Sequence, residues 1–322
     1  KKIFSLVLLV TSFYASAQTT LPIYKDYLSD NMYLVHPAAA GVGNESKLRL
    51  TARQQWMDVP NAPSLQTLSF HSRLGEYGKS GFGFIFFNDK NGFHSQTGFK
   101  GTYAYHLLLD DGSKFNQLSF AMSFSLAQNQ SDQRTFIGDP AVAAVVESTG
   151  YFSSDFGMAY HYGGLSTYFT IKDLFLTAQD VLNVRQNLNL RNYIFSTSYY
   201  FGEDYFIQLE PSVLLQFRER LGERIVDLNL KAYKTFKEAQ LWAAISYRTN
   251  FDKNAIENPT FISPIIGVNH KNWMFSYTYT NQTNETVLTT SGFHQLSIGL
   301  NLWKRDFRAA ASPNINRAFG YY

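Results

Sequence analysis

Asp58, Ser69 and His71 are the residue types that nucleophilic catalysis uses, and they fall within one short stretch. A serine hydroxyl, an imidazole base and a carboxylate orienter make a hydrolase triad when they meet in space. Ser69 and His71, however, stand two residues apart. On a strand that spacing puts them on one face roughly 7 Å apart, too far for a direct nucleophile–base bond. No Gly-x-Ser-x-Gly elbow accompanies them. The 7 His residues are scattered without metal-ligand spacing. Asp89 lies in Asn88-Asp89-Lys90-Asn91-Gly92, which reads as a loop with turn chemistry. Its single carboxylate is too few for a Ca²⁺ site. These residues assign no catalytic centre, no metal and no cofactor, and the chain reads as non-enzymatic.

The elements that carry these residues are strands. Gln295, Ser297, Gly299 and Asn301 alternate with Leu296, Ile298, Leu300 and Leu302. Leu118, Phe120, Met122, Phe124 and Leu126 alternate with polar or small residues. A period of two places each set on one face of a strand. Strands are expected near 47–56, 64–72, 80–87, 97–107, 115–127, 153–161, 164–171, 192–201, 206–216, 223–235, 239–248, 261–270, 272–280 and 292–303. The fold class is therefore all-β: a transmembrane antiparallel β-barrel of about 14 strands, an even count, with short periplasmic turns and longer extracellular loops. The connections divide accordingly. Turn chemistry marks 73–79, 108–114, 162–163, 202–205, 236–238 and 270–271. The other side collects 57–63, 88–96, 128–152, 172–191, 217–222, 249–260 and 281–291.

The N-terminus bears on the compartment. Lys1-Lys2, the apolar run Ile3–Val10 and Ala15-Ser16-Ala17 have the form of a secretory signal peptide over 1–17. Residues 18–46 are then a periplasmic N-terminal segment, 47–303 the barrel and 304–322 a periplasmic tail, in a protein integral to the outer membrane. No stretch reaches the roughly 20 apolar residues of a spanning helix. The chain has 21 Tyr, 28 Phe and 4 Trp, which suits lipid-facing strands with aromatic girdles. It has 0 Cys, which excludes disulfides and thiolate metal sites. The formal charge of +3 argues against a nucleic-acid partner.

Face assignment makes some charges lumenal. Arg49 and Arg53 oppose Leu48, Leu50 and Ala52; Asp227 and Lys231 oppose Leu228 and Leu230; Glu210 opposes Leu209. Lys100 belongs with them. Roughly 14 strands enclose more space than wall side chains fill, since about eight suffice for that. Water or a plug occupies the remainder. The expectation is that these charges pair with one another, or with a loop or N-terminal segment folded inside.

Three segments are more specific than alternation. The first runs Asn31-Met32-Tyr33-Leu34-Val35-His36-Pro37-Ala38-Ala39-Ala40-Gly41. The second is Arg53-Gln54-Gln55-Trp56, then Ala62-Pro63, then Thr67-Leu68-Ser69-Phe70-His71. The third is Gly81-Phe82-Gly83, leading to Asn88, Asp89 and Gly92 and then Tyr103-Ala104-Tyr105. With the closing Ser291-Gly292-Phe293-His294-Gln295-Leu296-Ser297-Ile298-Gly299-Leu300, they resemble the PorP/SprF family of type IX secretion and gliding proteins of Bacteroidetes. This chain has His36-Pro37-Ala38-Ala39-Ala40-Gly41 where the family usually has Asn-Pro-Ala-Tyr-Ala-Gly, and it continues past the last strand. The resemblance implies a role in exporting or retaining surface proteins. The implied partners are the C-terminal sorting domain of an adhesin-like cargo, type IX components including the periplasmic ring, and outer-membrane lipids.

The same segments have plainer physical readings. Pro37 and Gly41 bracket a turn that brings the N-terminal segment to the barrel base. Trp56 marks an aromatic belt at the extracellular end of its strand. Arg53, two residues earlier, holds the first hairpin by a charge-assisted bond. A passive channel and an outer-membrane lipid hydrolase stay open as rival functions. The basic, aromatic tail reads as a periplasmic docking segment or an overhang, and 139–152 as an unusually apolar loop.

Overall fold

The computed structural model describes residues 27–57, 60–75, 78–109, 115–132, 146–179, 185–187, 190–202, 205–251, 260–283, 292–305 and 312–313. The signal-peptide expectation, Asp58, residues 139–145 and most of the 304–322 tail lie outside them. The first elements are two single turns of 3₁₀ helix, Met32–Leu34 and Pro37–Ala39. Strands follow: β1 (Ser46–Gln55), β2 (Ser64–Leu74), β3 (Ser80–Asn91), β4 (His94–Leu108), β5 (Asn116–Asp132), β6 (Val146–Tyr162) and β7 (Leu165–Gln179). After a three-residue β8 (Arg185–Asn187) come β9 (Asn192–Tyr199), β10 (Gln208–Arg218), β11 (Arg224–Thr235), β12 (Ala239–Asn250), β13 (Thr260–His270), β14 (Trp273–Thr283) and β15 (Phe293–Leu302).

Each long strand is antiparallel to the next, with β7 pairing onward to β9, while β8 adds only to the end of β7. The ring closes where β1 pairs with β15, from Ser46–Leu302 to Gln55–Phe293. The result is a closed barrel of 14 strands. Closure leaves every wall strand with a partner on both sides, the condition for crossing hydrocarbon without orphaned backbone groups. No helix among the described residues is long and apolar enough to cross a membrane.

The wall is polar inward and apolar outward. In β12, Trp242, Ala244, Ser246 and Arg248 are buried, while Leu241, Ile245 and Tyr247 are exposed. Lys47, Arg49, Lys100, Asp155, Asp227 and Lys231 are all buried, whereas Leu126 and Leu296 are each 61% exposed. One end of the barrel carries tight connections, such as Gly163–Gly164 and Lys271–Asn272, together with the start of β1 and the end of β15. Trp273, Trp303, Tyr199 and Tyr205 stand exposed there. We term this the turn end, and its opposite the loop end.

The wall is uneven in height. A membrane needs about 9–11 residues of tilted strand. The strands β5 and β6 each have 17 and β4 and β7 each 15, whereas β9 has 8. The taller sector corrects one expectation. Asn88 and Asp89 are not in a loop: β3 runs to Asn91, and the connection to β4 is only Gly92–Phe93. The strand continues past the hydrocarbon although its residues no longer alternate in polarity, so Asn88 faces outward where polar side chains meet water, and Thr97 Oγ1 donates to its Oδ1 at 3.1 Å. Gly92 takes φ +61, as the tight turn requires. The expected loops 128–152 and 172–191 shorten for the same reason, β5 running to Asp132 and β7 to Gln179.

Candidate functional site

Residues 27–45 fill the lumen. This segment has no strand period, and many of its hydrogen-bonding groups are met by the wall around the circumference. Asp30 sits between two cations of β1: Lys47 Nζ at 3.0 Å and Arg49 Nη2 at 2.7 Å. On β2, Ser69 Oγ accepts from Asn31 Nδ2 at 2.9 Å, and His71 Nδ1 accepts from the Gly41 N–H at 3.1 Å. Arg73 donates to the Gly41 and Val42 carbonyls at 2.6 and 3.0 Å. On β4, Thr102 pairs with the Tyr33 hydroxyl at 2.8 Å and His106 Nε2 donates to the Ala40 carbonyl at 3.1 Å.

Across the barrel, the two ring nitrogens of His36 bond Thr170 of β7 and Ser196 of β9, each at 2.8 Å. Lys172 Nζ donates to the Leu34 carbonyl at 3.3 Å. On β11, Lys231 Nζ donates to the Leu28 carbonyl at 3.1 Å while lying 3.9 Å from the Trp242 ring centre. Asp227 accepts from the Tyr27 hydroxyl at 3.3 Å and is clamped by Nε and Nη2 of the Arg248 guanidinium. On β15, Asn301 donates to Glu45 at 2.8 Å.

Apolar packing complements these bonds. Tyr27, Leu28, Tyr33, Leu34, Val35 and Ala38–Ala40 share a core with inward-facing Ile85, Phe87, Tyr168, Ile194 and Trp242. Glycines of the wall make the room. A Cβ at Gly81 would lie 2.4 Å from the Ala40 carbonyl oxygen, one at Gly83 2.7 Å from the Tyr33 ring, and one at Gly157 3.1 Å from the Ala38 nitrogen. Gly41 itself takes φ +74, with the Ser72 carbonyl oxygen 2.9 Å from where a Cβ would stand. That conformation needs glycine.

In the inserted segment, which does not itself span the membrane, the shifts in acidity at His36 and Asp30 fix the charge of the two groups. Burial drives the His36 imidazole down to about 3, aided by the Lys172 charge, so the ring is neutral. Burial alone would raise the Asp30 carboxyl, but Lys47, Arg49 and Lys231 outweigh it and hold it below its ordinary value.

The residues singled out by sequence are distributed around this arrangement. Pro37 opens the second 3₁₀ turn, against which Gly157 packs. Arg49 and Lys231 bond residues 30 and 28, as described. Lys100 pairs with Asp155 across the wall. Glu210 accepts from Tyr233 at 2.5 Å, from Ser198 at 2.9 Å and from the buried Ser312. Arg53 is half-buried, its Nε hydrogen unbonded, and faces the charge of Asp89. Trp56 leaves β1 with φ +44; its N–H bonds the Gly292 carbonyl at 3.1 Å and its ring packs edge-on against Phe293. It seals the loop end of the β1–β15 seam instead of extending a lipid-facing row. The Pro63 carbonyl accepts from Gln55 at 2.9 Å, closing the first hairpin. Ser69 and His71 are each engaged by the inserted segment and form no bond with each other.

Sequence reasoning missed Asp30, Arg73, His106 and Lys172. Their partners are set by a non-periodic segment and cannot be found from strand alternation. One signal was present: Gly81 and Gly83 occupy successive inward positions, an arrangement that marks a close approach from inside.

The match of the chain to a family model settles what kind of barrel this is. Residues 16–300 match the model described as type IX secretion system membrane protein PorP/SprF. The chain belongs to the PorP/SprF family. No curated protein matches it as a relative. Among solved structures, this PorP/SprF barrel is similar to a deltaS2 mutant of the TodX monoaromatic hydrocarbon channel, with TM-score 0.48 and 10% identity, over 84% of this chain and 92% of that one. It is similar to the Ralstonia pickettii toluene transporter TbuX with TM-score 0.48 and 10% identity, over 86% and 94%. Its similarity to CdiB from Acinetobacter baumannii has TM-score 0.38 and 8% identity, over 80% of this chain and 60% of that one, so the chain spans less than two thirds of CdiB. At these scores the likenesses add nothing to the architecture read from the strands. The family and the closed wall together make the protein an outer-membrane β-barrel of a type IX secretion system.

Proposed function

We propose that this barrel binds an exported surface protein, an adhesin-like cargo with a C-terminal sorting domain, and retains it at or helps it across the outer membrane. Both termini and the turn end face the periplasm, where the type IX machinery and its ring are the partners, and the loop end faces outward. The N-terminal signal peptide is removed on export. The observation that carries this reading is a lumen filled by the protein's own residues 27–45 in a member of a secretion family. A barrel occupied in this way offers surfaces rather than a bore, and the extended β4–β7 wall enlarges the surface at the loop end. The same filling weighs against a passive channel. A hydrolase reading finds no support in Ser69 and His71, which hold the inserted segment.

Comparative mass spectrometry of cell-surface and medium proteins, with and without the gene in its native host, tests the proposal. Mislocalisation of one or a few large adhesins is the expected result, and extends the role to gliding if motility fails with them. Collapse of the entire type IX secretome would make the protein a core component instead. An unchanged profile with altered solute uptake would sink the secretion role in favour of a channel.

A further inference from the structure

One group of buried charges in the wall is built differently from the rest. Lys100 of β4, Asp155 of β6 and Asp173 of β7 are 5%, 0% and 8% exposed. The strand β5 runs between the first two and places Ser125 in register with Lys100 and Ser123 with Asp155. These small side chains let the lysine cross β5, and its Nζ meets Asp155 Oδ2. At Asp30 and Asp227 guanidinium nitrogens hold the second carboxylate oxygen. At Asp155 that oxygen, Oδ1, instead accepts from the Asp173 backbone N–H at 3.0 Å. A bulge makes this bond. The strands β6 and β7 pair at Ser154–Phe175 and at Phe156–Ile171, so Lys172, Asp173 and Leu174 all stand opposite Asp155. Within the bulge Asp173 takes φ +54, a strained conformation for a residue with a Cβ. Bulges re-aim side chains and recur beside functional sites. The Asp173 carboxyl is buried within reach of the Lys100 and Asp155 charges, with its Oδ1 unbonded.

We propose that Lys100 and Asp155 condense to an intramolecular isopeptide bond, and that Asp173 brings the reaction about. One Nζ–Cγ bond forms and one Cγ–Oδ2 bond breaks. The Asp173 carboxylate takes a proton from the ammonium, and the freed Nζ electron pair attacks Asp155 Cγ. Charge gathers on Oδ1, where the Asp173 N–H already donates, the placement of an oxyanion hole. Oδ2 leaves as water with two of the three Nζ protons, the first carried across by Asp173. The third proton stays on the amide nitrogen, and Asp173 ends ionised as it began. No oxidant or co-reactant is consumed. Two features favour condensation. Held by β4, β6 and β7, the amine and the carboxyl are already in contact, which replaces a bimolecular encounter. The product also removes two charges from a site that disfavours both. The amide joins β4 to β6 across β5, so the taller sector of the wall is closed into a covalent ring. This reinforcement does not depend on cargo binding.

Intact-mass spectrometry of the full-length protein, purified folded from outer membranes and then denatured, tests this. The wild type should weigh one water less than the unlinked chain, and fragmentation should place the link between residues 100 and 155. Lys100→Arg should restore the full mass. Asp155→Asn should reach the same linked mass as the wild type, losing ammonia in place of water. Asp173→Asn keeps the backbone N–H and the size of the side chain but removes the proton carrier, and should leave most of the chain unlinked. Lys234→Arg, at the turn end of β11, should keep the water loss. Heat-modifiable gel migration reports that each variant is folded, and the wild-type mass decides the question even where a variant does not fold. A wild type at full mass, or a water loss that persists in Lys100→Arg, would overturn the proposal. Linkage in Asp173→Asn equal to that of the wild type would overturn the role of Asp173.

Discussion

Gly83 on β3 and Gly101 on β4 sit in neighbouring strands and face opposite ways. A Cβ on Gly83 would be 2.7 Å from the Tyr33 ring, whereas one on Gly101 would meet nothing closer than 3.6 Å. The inner glycine is crowded by the protein's own chain, and the outer one opens onto lipid. The same contrast holds for charge. Inside, the Asp30, Asp227 and Asp155 carboxylates have cationic partners. Outside, the rows of β11 and β12 present Leu228, Leu230, Leu241 and Ile245. One wall thus solves two problems: pairing buried charges on the lumenal face and presenting rows of apolar side chains to hydrocarbon on the other.

The largest effect that sharpens this contrast is expected on the inner face. Asp30→Ala leaves Lys47 and Arg49 buried without their carboxylate, a loss of about 3–5 kcal/mol by the behaviour of broken buried ion pairs. The inserted segment should detach, read as a jump in single-channel conductance and a lower denaturation midpoint. Unchanged conductance would mean that Asp30 does not hold the segment. Acid should act in the same direction. The Asp30 carboxyl is depressed in the folded state, so its contribution is full above the unfolded-state value of about 3.9. It is lost as pH falls through the lower, folded value, and conductance should rise there in the wild type but not in Asp30→Asn.

Next in size is a charge on the outer face. Leu230→Arg places a guanidinium in the lipid-facing row at a cost of roughly 2–4 kcal/mol, whereas Asn301→Arg puts a cation beside Glu45 inside and should insert normally. Similar folding yields for the two would break the face assignment. Gly83→Leu overpacks the site against Tyr33 and should cost about 1–3 kcal/mol, loosening the segment while the barrel still migrates as folded. The smallest effect belongs to Gly101→Leu, whose denaturation midpoint should hold or rise slightly, because a strand glycine is replaced where there is space. If it destabilises as much as Gly83→Leu, the two faces are not as different as drawn.

Much of this architecture is legible in the chain. Alternation locates all 14 wall strands and puts Arg49, Lys100, Glu210, Asp227 and Lys231 on the inner face, because a period of two cannot slip without exposing charge to lipid. The upper reaches of β3 to β7 are not legible. Beyond the hydrocarbon both faces are wet, so Asn88-Asp89-Lys90-Asn91 shows no alternation and reads as a loop. The inserted segment is hidden for another reason. Its contacts join residues far apart, His36 to Thr170 and Tyr27 to Asp227 among them, and no local pattern encodes such pairings. The motif from Asn31 to Gly41 marks the segment as specific without saying what it touches.

The ring of contacts around residues 27–45 also bears on how the molecule comes apart. A bare β-barrel holds together hairpin by hairpin, each strand answering mainly to its two neighbours. Here β1, β2, β4, β7, β9, β11 and β15 all answer in addition to one short central piece of chain. That piece works as a hub with spokes: loosening any sector of the wall strains bonds shared with the opposite sector. Unfolding should then be all-or-none across the circumference, and a chain lacking the hub should lose its strands in separate steps.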